Sequence, residues 1–127
     1  MLERLQFNAT EDTPELILDV QSQIFKISGR SMPEDATAFF APIYNWLLEY
    51  VKNPNPKTEF FCNMEYFNSS SAKKIVEMFF ILERIKEKEV RIIWYYEEDD
   101  RLIETKGHEL KAVLNIPVDL VQVDPEL

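Results

Sequence analysis

The sequence predicts a single α/β domain spanning residues 1–127, in which about three helices pack on a mixed β-sheet. Short apolar runs alternate along the chain with longer segments whose apolar residues recur every three or four positions, a pattern of strands alternating with amphipathic helices. The 127 residues suffice for one ordinary domain and are too few for two. The predicted order is β-β-α-β-α-β-α-β, with residues 1–14 as a loose N-terminal arm.

The first half of the chain predicts a hairpin, a helix and a central strand. The apolar runs 16–20 and 23–27 are separated by two residues only, which favours a hairpin. Ser31 and Glu34 have capping-box spacing, and an apolar stripe follows them as far as Val51, which predicts a helix. The aromatic-rich segment 58–67 then predicts a central strand.

The second half predicts two further strand and helix pairs. An amphipathic helix is expected over residues 70–88 and a buried strand over 90–96, whose apolar character is too continuous for an edge strand. An acidic turn, 97–100, precedes a third helix at about 101–114, and a short last strand is expected over 117–121.

Composition excludes several classes of function. The chain has 23 acidic and 14 basic residues, a net charge of −9, so neither a nucleic-acid ligand nor an anionic membrane surface is expected. Two glycines are too few for a phosphate-binding or dinucleotide-binding loop, and one cysteine with one histidine cannot form a zinc site. No cofactor or metal is therefore expected. The N-terminus has no apolar signal region, so a cytoplasmic protein is expected.

A run of small polar residues follows the predicted central strand. Asn68, Ser69, Ser70 and Ser71 precede an amphipathic helix, where Asn or Ser side chains commonly cap the free backbone N–H groups. Helix capping needs only one such residue. A helix N-terminus also stabilises an added phosphate, and two lysines, Lys73 and Lys74, follow at once; the turn is thus either a cap alone or a site of reversible phosphorylation.

Three stretches of the sequence resemble the SiaC family of regulatory phosphoproteins, small proteins with a STAS-like fold. They are 29–35 continuing to 46–50, then 66–73, then 94–100, and with their spacing they cover about residues 15–122. The resemblance implies a STAS-like domain, the fold of anti-sigma-factor antagonists. It also implies that the residue directly after the motif's asparagine accepts phosphate. That residue, usually threonine in the family, is Ser69 here, while Ser70 matches the acceptor of the sporulation STAS proteins.

The resemblance further implies a non-enzymatic binding protein with three partners. They are a diguanylate cyclase, which the unphosphorylated form binds and activates in the control of cyclic di-GMP signalling and biofilm formation, a cognate protein kinase and a metal-dependent protein phosphatase. The alternative is a STAS-type antagonist that releases a sigma factor from its anti-sigma kinase. A third interpretation, an enzyme that holds a metal at the acidic turn through Asp99 and Asp100, competes with simple helix capping by these acids.

A docking surface is predicted on the second helix. Phe80 and Ile81 are expected to point away from the core, where two large apolar groups would suit a protein partner. The same surface includes four charged residues: Lys73, Lys74, Glu77 and Arg84. The alternative is that another helix of the domain covers the two apolar side chains.

Overall fold

The computed structural model describes residues 2–124, which form one sheet and three helices. The elements in chain order are β1 (Leu5–Phe7), β2 (Glu15–Asp19), β3 (Ile24–Ser31), α1 (Ala36–Tyr50), β4 (Lys57–Phe67), α2 (Ser69–Leu82), β5 (Glu89–Glu97), α3 (Arg101–Val113) and β6 (Val118–Val123). The predicted fold class is confirmed, with one additional strand at the N-terminus.

The six strands form a mixed sheet in which the spatial order equals the chain order. β1, β2 and β3 pair antiparallel, and β3 to β6 pair parallel. A helix connects each parallel strand to the next. Because such crossovers are right-handed and all advance in the same direction, the three helices are expected on one face of the sheet.

The packing contacts agree with this arrangement. Trp46 of α1 packs on Phe25, with ring centroids 6.2 Å apart, and Phe79 of α2 packs on Phe60 at 5.4 Å. Trp94 donates its indole N–H to a carbonyl of α3 at 2.9 Å. The side chains of the covered face form a single hydrophobic core that includes residues of all three helices.

None of the three helices described within residues 2–124 packs on the opposite face of the sheet. Phe61 and Tyr95 stack there, with ring centroids 6.2 Å apart, and Val121 is exposed beside them. Charges on this face neutralise one another in two ion pairs: Lys26 with Glu15 at 2.9 Å and Arg91 with Asp119 at 2.6 Å. This face is thus partly apolar and carries at least two ion pairs.

The prediction of a loose N-terminal arm is wrong for its first half. β1 pairs with β2, and Phe7 packs against Phe39 of α1, with ring centroids 5.5 Å apart. The indole N–H of Trp46 donates to the carbonyl of Glu3 at 2.7 Å. The N-terminal segment is therefore an edge strand attached to α1.

The predicted capping box is also wrong. Ser31 is the last residue of β3 and is completely buried, while Asp35 caps α1 by accepting a hydrogen bond from the Ala38 N–H at 3.0 Å. Ser31 therefore lies at the C-terminal edge of the sheet and does not cap α1. α2 ends at Leu82, well before the predicted end at Lys88.

Candidate functional site

The serine turn lies where β4 ends and α2 begins. Asn68 caps the helix, because its Oδ1 accepts a hydrogen bond from the Ser71 N–H at 3.0 Å. Its own N–H donates to the carbonyl of Ser31 at 3.1 Å, so the cap is attached to the neighbouring strand β3. The capping prediction is confirmed, and Asn68 is hydrogen-bonded both to α2 and to β3.

The three serines of the turn have different environments. Ser71 is fully buried, and its Oγ accepts a hydrogen bond from the Ser31 hydroxyl at 2.8 Å. Ser70 is exposed, and its hydroxyl donates to Asn68 Oδ1 at 3.2 Å. Ser69 is also exposed, and its hydroxyl has no hydrogen-bond partner within residues 2–124. The hydroxyls of Ser69 and Ser70 are therefore accessible from solvent, and that of Ser71 is not.

The backbone of the turn leaves two N–H groups for an anion. Asn68 takes the Ser71 N–H through its side chain and the Ala72 N–H through its carbonyl, the latter at 2.9 Å. The N–H groups of Ser69 and Ser70 belong to the first helical turn, whose donors have no partner within the helix. A phosphate on Ser69 would meet these donors and the positive end of the helix dipole.

The predicted cations Lys73 and Lys74 point to different sides of α2. Lys73 lies one helical turn after Ser69, is exposed, and has no ion pair among the residues described. Lys74 faces α1, where its Nζ lies 3.8 Å from Glu77 Oε2 and 5.9 Å from the centre of the Tyr44 ring. Of these two lysines, only Lys73 is therefore placed to pair with a negative charge on Ser69.

Glu77 also belongs to the contact between α1 and α2. The Tyr44 hydroxyl donates its proton to the carbonyl of Lys74 at 2.7 Å, and Glu77 Oε2 lies 3.2 Å from the same hydroxyl as a second acceptor. Partial burial, with the Glu77 charge as the next cause, raises the pKa of Tyr44 well above its ordinary value. Lys74 and Glu77 thus join the two helices.

The predicted docking pair is divided by the structure. Phe80 is 43% exposed, as expected, and Arg84 is exposed near it. Ile81 is only 9% exposed and belongs to the hydrophobic core, so its assignment to a partner surface is wrong. The reason is that α1 packs alongside α2, so that α2 is buried on the side that faces α1 as well as on the side that faces the sheet.

A groove between α2 and α3 was missed in the sequence. It holds a cavity of about 290 Å³, and we call it the α2–α3 groove. Its lining is Phe67, Ala72, Lys73, Ile75, Val76, Trp94, Lys106, Glu109, Leu110 and Val113. Next along the same side of α2, Phe80 and Arg84 line a second depression with Ile116 of the following loop. Helical periodicity predicts that Val76 and Leu110 face inward, but it does not give the distance between two packed helices.

Two of the sequence stretches that carried the family resemblance, 29–35 and 66–73, meet at the C-terminal ends of β3 and β4. β3 pairs with β4 in a register that places Arg30 beside Tyr66 and Ser31 beside Phe67. The Arg30 guanidinium lies 5.4 Å from the centre of the Tyr66 ring and 3.4 Å from a Glu65 carboxylate oxygen. The strand ends therefore support the serine turn from the side of β3.

The acidic turn acts as a helix cap in this structure. Asp100 Oδ1 accepts a hydrogen bond from the Ile103 N–H at 3.0 Å, so the capping interpretation is confirmed. Within residues 2–124, no three His, Cys, Asp or Glu side chains are grouped to hold a metal. The thiol of Cys62 is buried, and burial raises its pKa. None of the described helices is both long and apolar enough to cross a bilayer.

The comparison with known proteins decides the family. A family model described as SiaC family regulatory phosphoprotein matches residues 7–123. The chain belongs to the SiaC family. The resemblance noted in the sequence is thereby confirmed, and its family is one of regulatory phosphoproteins.

Individual relatives of this SiaC family member are distant in sequence. An uncharacterized protein of Pseudomonas aeruginosa strain UCBPP-PA14 is 22% identical over 115 residues, covering 89% of this chain and 91% of the relative. The crystal structure of apo-SiaC from Pseudomonas aeruginosa matches with a TM-score of 0.84 and 23% identity, over 95% of this chain and 99% of that chain.

A chain in the crystal structure of the diguanylate cyclase SiaD in complex with its activator SiaC, also from Pseudomonas aeruginosa, matches with a TM-score of 0.86. The identity is 21%, over 94% of this chain and 99% of that chain. At these identities, the likeness to solved structures establishes the shared fold.

Proposed function

We propose that this chain is a non-enzymatic, cytoplasmic regulator that binds and activates a diguanylate cyclase when Ser69 is unmodified, and releases it when Ser69 carries phosphate. Through the cyclase it would control cyclic di-GMP signalling and biofilm formation. A cognate protein kinase adds the phosphate and a metal-dependent protein phosphatase removes it. Membership of a family of regulatory phosphoproteins supports this proposal, as does the shared fold with a SiaC that activates the cyclase SiaD.

The observation that carries the proposal is the environment of Ser69. Its hydroxyl is exposed and has no hydrogen-bond partner in the described chain, at the N-terminus of a helix whose first N–H groups face an incoming phosphate. Phosphorylation adds about −1.5 to −2 charges at this point. Such a change acts strongly on any partner that must pack closely beside the turn. Ser70 is the second choice, because its hydroxyl is already engaged by Asn68.

The test compares Ser69→Ala with Ser70→Ala as the matched control. Each chain is recovered from its host, and phosphate is mapped by mass spectrometry. We expect phosphate on Ser69 in the wild type and in Ser70→Ala, and none in Ser69→Ala. Treatment with the host's metal-dependent phosphatase should remove it, and a chelator should prevent removal. Phosphate on Ser70 alone would move the acceptor by one residue, and none within residues 68–71 would contradict the proposal.

The second half of the test measures the cyclase. The host's diguanylate cyclases, purified one at a time, are titrated with each chain, and synthesis of cyclic di-GMP is followed. Unmodified wild type and Ser69→Ala should bind and activate one of them equally well. Ser69→Asp should activate it less, though more than phosphorylated chain does, because one carboxylate carries less charge than phosphate. Equal activation by phosphorylated and unmodified chain would refute the switch.

A further inference from the structure

We infer that Ser31, the last residue of β3, is a positioning residue that directs phosphorylation to Ser69 rather than to Ser70. This inference rests on the proposed function, because it concerns the same phosphorylation reaction. It adds a residue outside the serine turn that determines which hydroxyl of the turn accepts the phosphate. Ser31 is completely buried, so it acts through the turn and does not touch the kinase.

The two candidate acceptors lie in folded backbone, where their position distinguishes them. Ser69 begins α2 directly after the Asn68 cap, and Ser70 is the next residue of the helix. Neighbouring residues of a helix differ in direction by about 100° around its axis. A kinase that approaches the turn from one side therefore meets one of the two hydroxyls, although both residues are serines. The orientation of the first turn of α2 determines which one.

Ser31 fixes this orientation through two hydrogen bonds. Its carbonyl accepts from the Asn68 N–H at 3.1 Å, and its hydroxyl donates to Ser71 Oγ at 2.8 Å. Asn68 and Ser71 stand immediately before and after the two acceptor serines in the chain. A single residue of the neighbouring strand thus holds both ends of the acceptor segment.

Ser31 is itself firmly held, as a positioning residue must be. β3 pairs with β4 as far as Ser31, which lies opposite Phe67, and the N–H of the following Met32 donates to the Asp12 carbonyl at 2.7 Å. The hydroxyls of Ser31 and Ser71 are both shielded from solvent. Removing the Ser31 hydroxyl leaves that of Ser71 buried without this partner, which favours a shift of the first turn of α2.

Such a shift affects the reaction, because phosphoryl transfer requires close alignment. The kinase transfers the γ-phosphoryl group of ATP to Ser69 Oγ: the bond from this phosphorus to the bridging oxygen of ADP breaks, an Oγ–P bond forms, and the hydroxyl proton passes to a base of the kinase. The attacking and leaving oxygens lie roughly in line with the phosphorus. A displacement of about 1 Å can slow a reaction by up to about a hundredfold.

The experiment uses the host kinase that phosphorylates the wild-type chain, purified by following phosphate transfer from ATP. Full-length wild type and Ser31→Ala are its substrates, and fragmentation mass spectrometry measures the phosphate on each serine. Ser31→Ala should lower kcat for Ser69 about tenfold or more and raise the share of phosphate on Ser70. KM should change little, because Ser31 has no exposed surface for a kinase to bind. Ser31→Cys, which keeps a weak donor, should lie between the two chains.

The matched control is Thr58→Val, which also removes one hydroxyl from a buried pair. Thr58 Oγ1 and the Tyr50 hydroxyl are hydrogen-bonded at 2.7 Å, near the start of β4 and about 30 Å from its end. This variant loses the same kind of interaction far from the serine turn. It should keep the wild-type kcat and carry its phosphate on Ser69, whereas a simple loss of stability would affect both variants alike.

The outcomes distinguish the positioning role from the proposed function. If no host kinase phosphorylates residues 68–71 of the wild type, the proposed function is wrong and the positioning role falls with it. If the wild type is phosphorylated on Ser69, and Ser31→Ala matches Thr58→Val in kcat and in acceptor, only the positioning role is overturned. Phosphate on Ser70 alone in the wild type also overturns it. If circular dichroism shows that Ser31→Ala does not fold, Ser31→Cys and Ser71→Ala decide in the same way.

Discussion

Replacing Gly107 with alanine has two opposing effects: alanine favours the helical backbone, but its methyl group overlaps Trp94. The distances in the structure indicate that the overlap is the larger effect. Gly107 faces the sheet from within α3. A Cβ added there would lie 2.5 Å from Cδ1 and 2.7 Å from Nε1 of Trp94, and 3.1 Å from Leu120. The first two distances are too short for any contact, so the indole must move. The indole is only 1% exposed and donates a hydrogen bond to the Ile103 carbonyl, so moving it disturbs the packing of the core.

The magnitude follows from three contributions. Alanine favours a helix over glycine by about 1 kcal/mol, which taken alone would stabilise the protein. Forcing an extra methyl group into a filled core costs about 1–3 kcal/mol. Moving the indole also endangers its hydrogen bond to the Ile103 carbonyl, which contributes about 1 kcal/mol. The net expectation for Gly107→Ala is a loss of about 1–3 kcal/mol in the free energy of unfolding.

Urea unfolding followed by far-ultraviolet circular dichroism measures this difference. The matched control is Thr105→Ala, an exposed position two residues earlier in the same helix, where alanine should be neutral or slightly stabilising. The midpoint should fall for Gly107→Ala and stay or rise for Thr105→Ala. An unchanged or raised midpoint for Gly107→Ala would refute the tight packing of α3 on Trp94.

Two further predictions concern stability. Ser31→Ala and Ser71→Ala should each destabilise the fold by about 1–3 kcal/mol in thermal unfolding, because each leaves a buried hydroxyl without its partner; the double variant should lose less than the sum, and strict additivity would contradict the hydrogen bond. Hydrogen bonds, first of all from the Ser22 N–H, lower the pKa of Asp19. The ionised carboxylate therefore stabilises the fold at pH values above the pKa of Asp19 in the unfolded chain. This contribution is lost as the pH falls through the pKa of Asp19 in the folded protein. Between about pH 5 and 2, wild type should therefore lose more stability than Asp19→Asn, and parallel acid curves would contradict the assignment.

Much of the fold could be predicted from the sequence, because strand and helix periodicities are local properties. The N-terminal strand could not, since β1 is only three residues long and its partner β2 lies eight residues later in the chain. Ser31 was misassigned for a related reason. Its spacing to Glu34 satisfies a local capping rule, but pairing between β3 and β4 extends the strand through that residue.

The serine turn is the part of the candidate site that could be predicted from the sequence, because its residues are consecutive in the chain. Asn68 and Ser69 follow from the end of an aromatic strand and the start of an amphipathic helix. What each side chain touches depends on tertiary packing. The burial of Ser71 requires Ser31 from a distant strand, and the burial of Ile81 requires α1 beside α2. The α2–α3 groove depends on the separation of two helices, which no sequence period encodes.

The two tryptophans occupy opposite parts of the molecule, and this gives the protein a built-in optical probe. The Trp46 indole is bonded to the N-terminal segment, whereas Trp94 forms part of the groove floor. In a Trp46→Phe background, fluorescence comes from Trp94 alone. Because that indole is only 1% exposed, dissolved iodide should quench it weakly in the free protein, and a change in its emission would report a rearrangement of the groove floor. Binding and release could be followed in real time without attaching a dye.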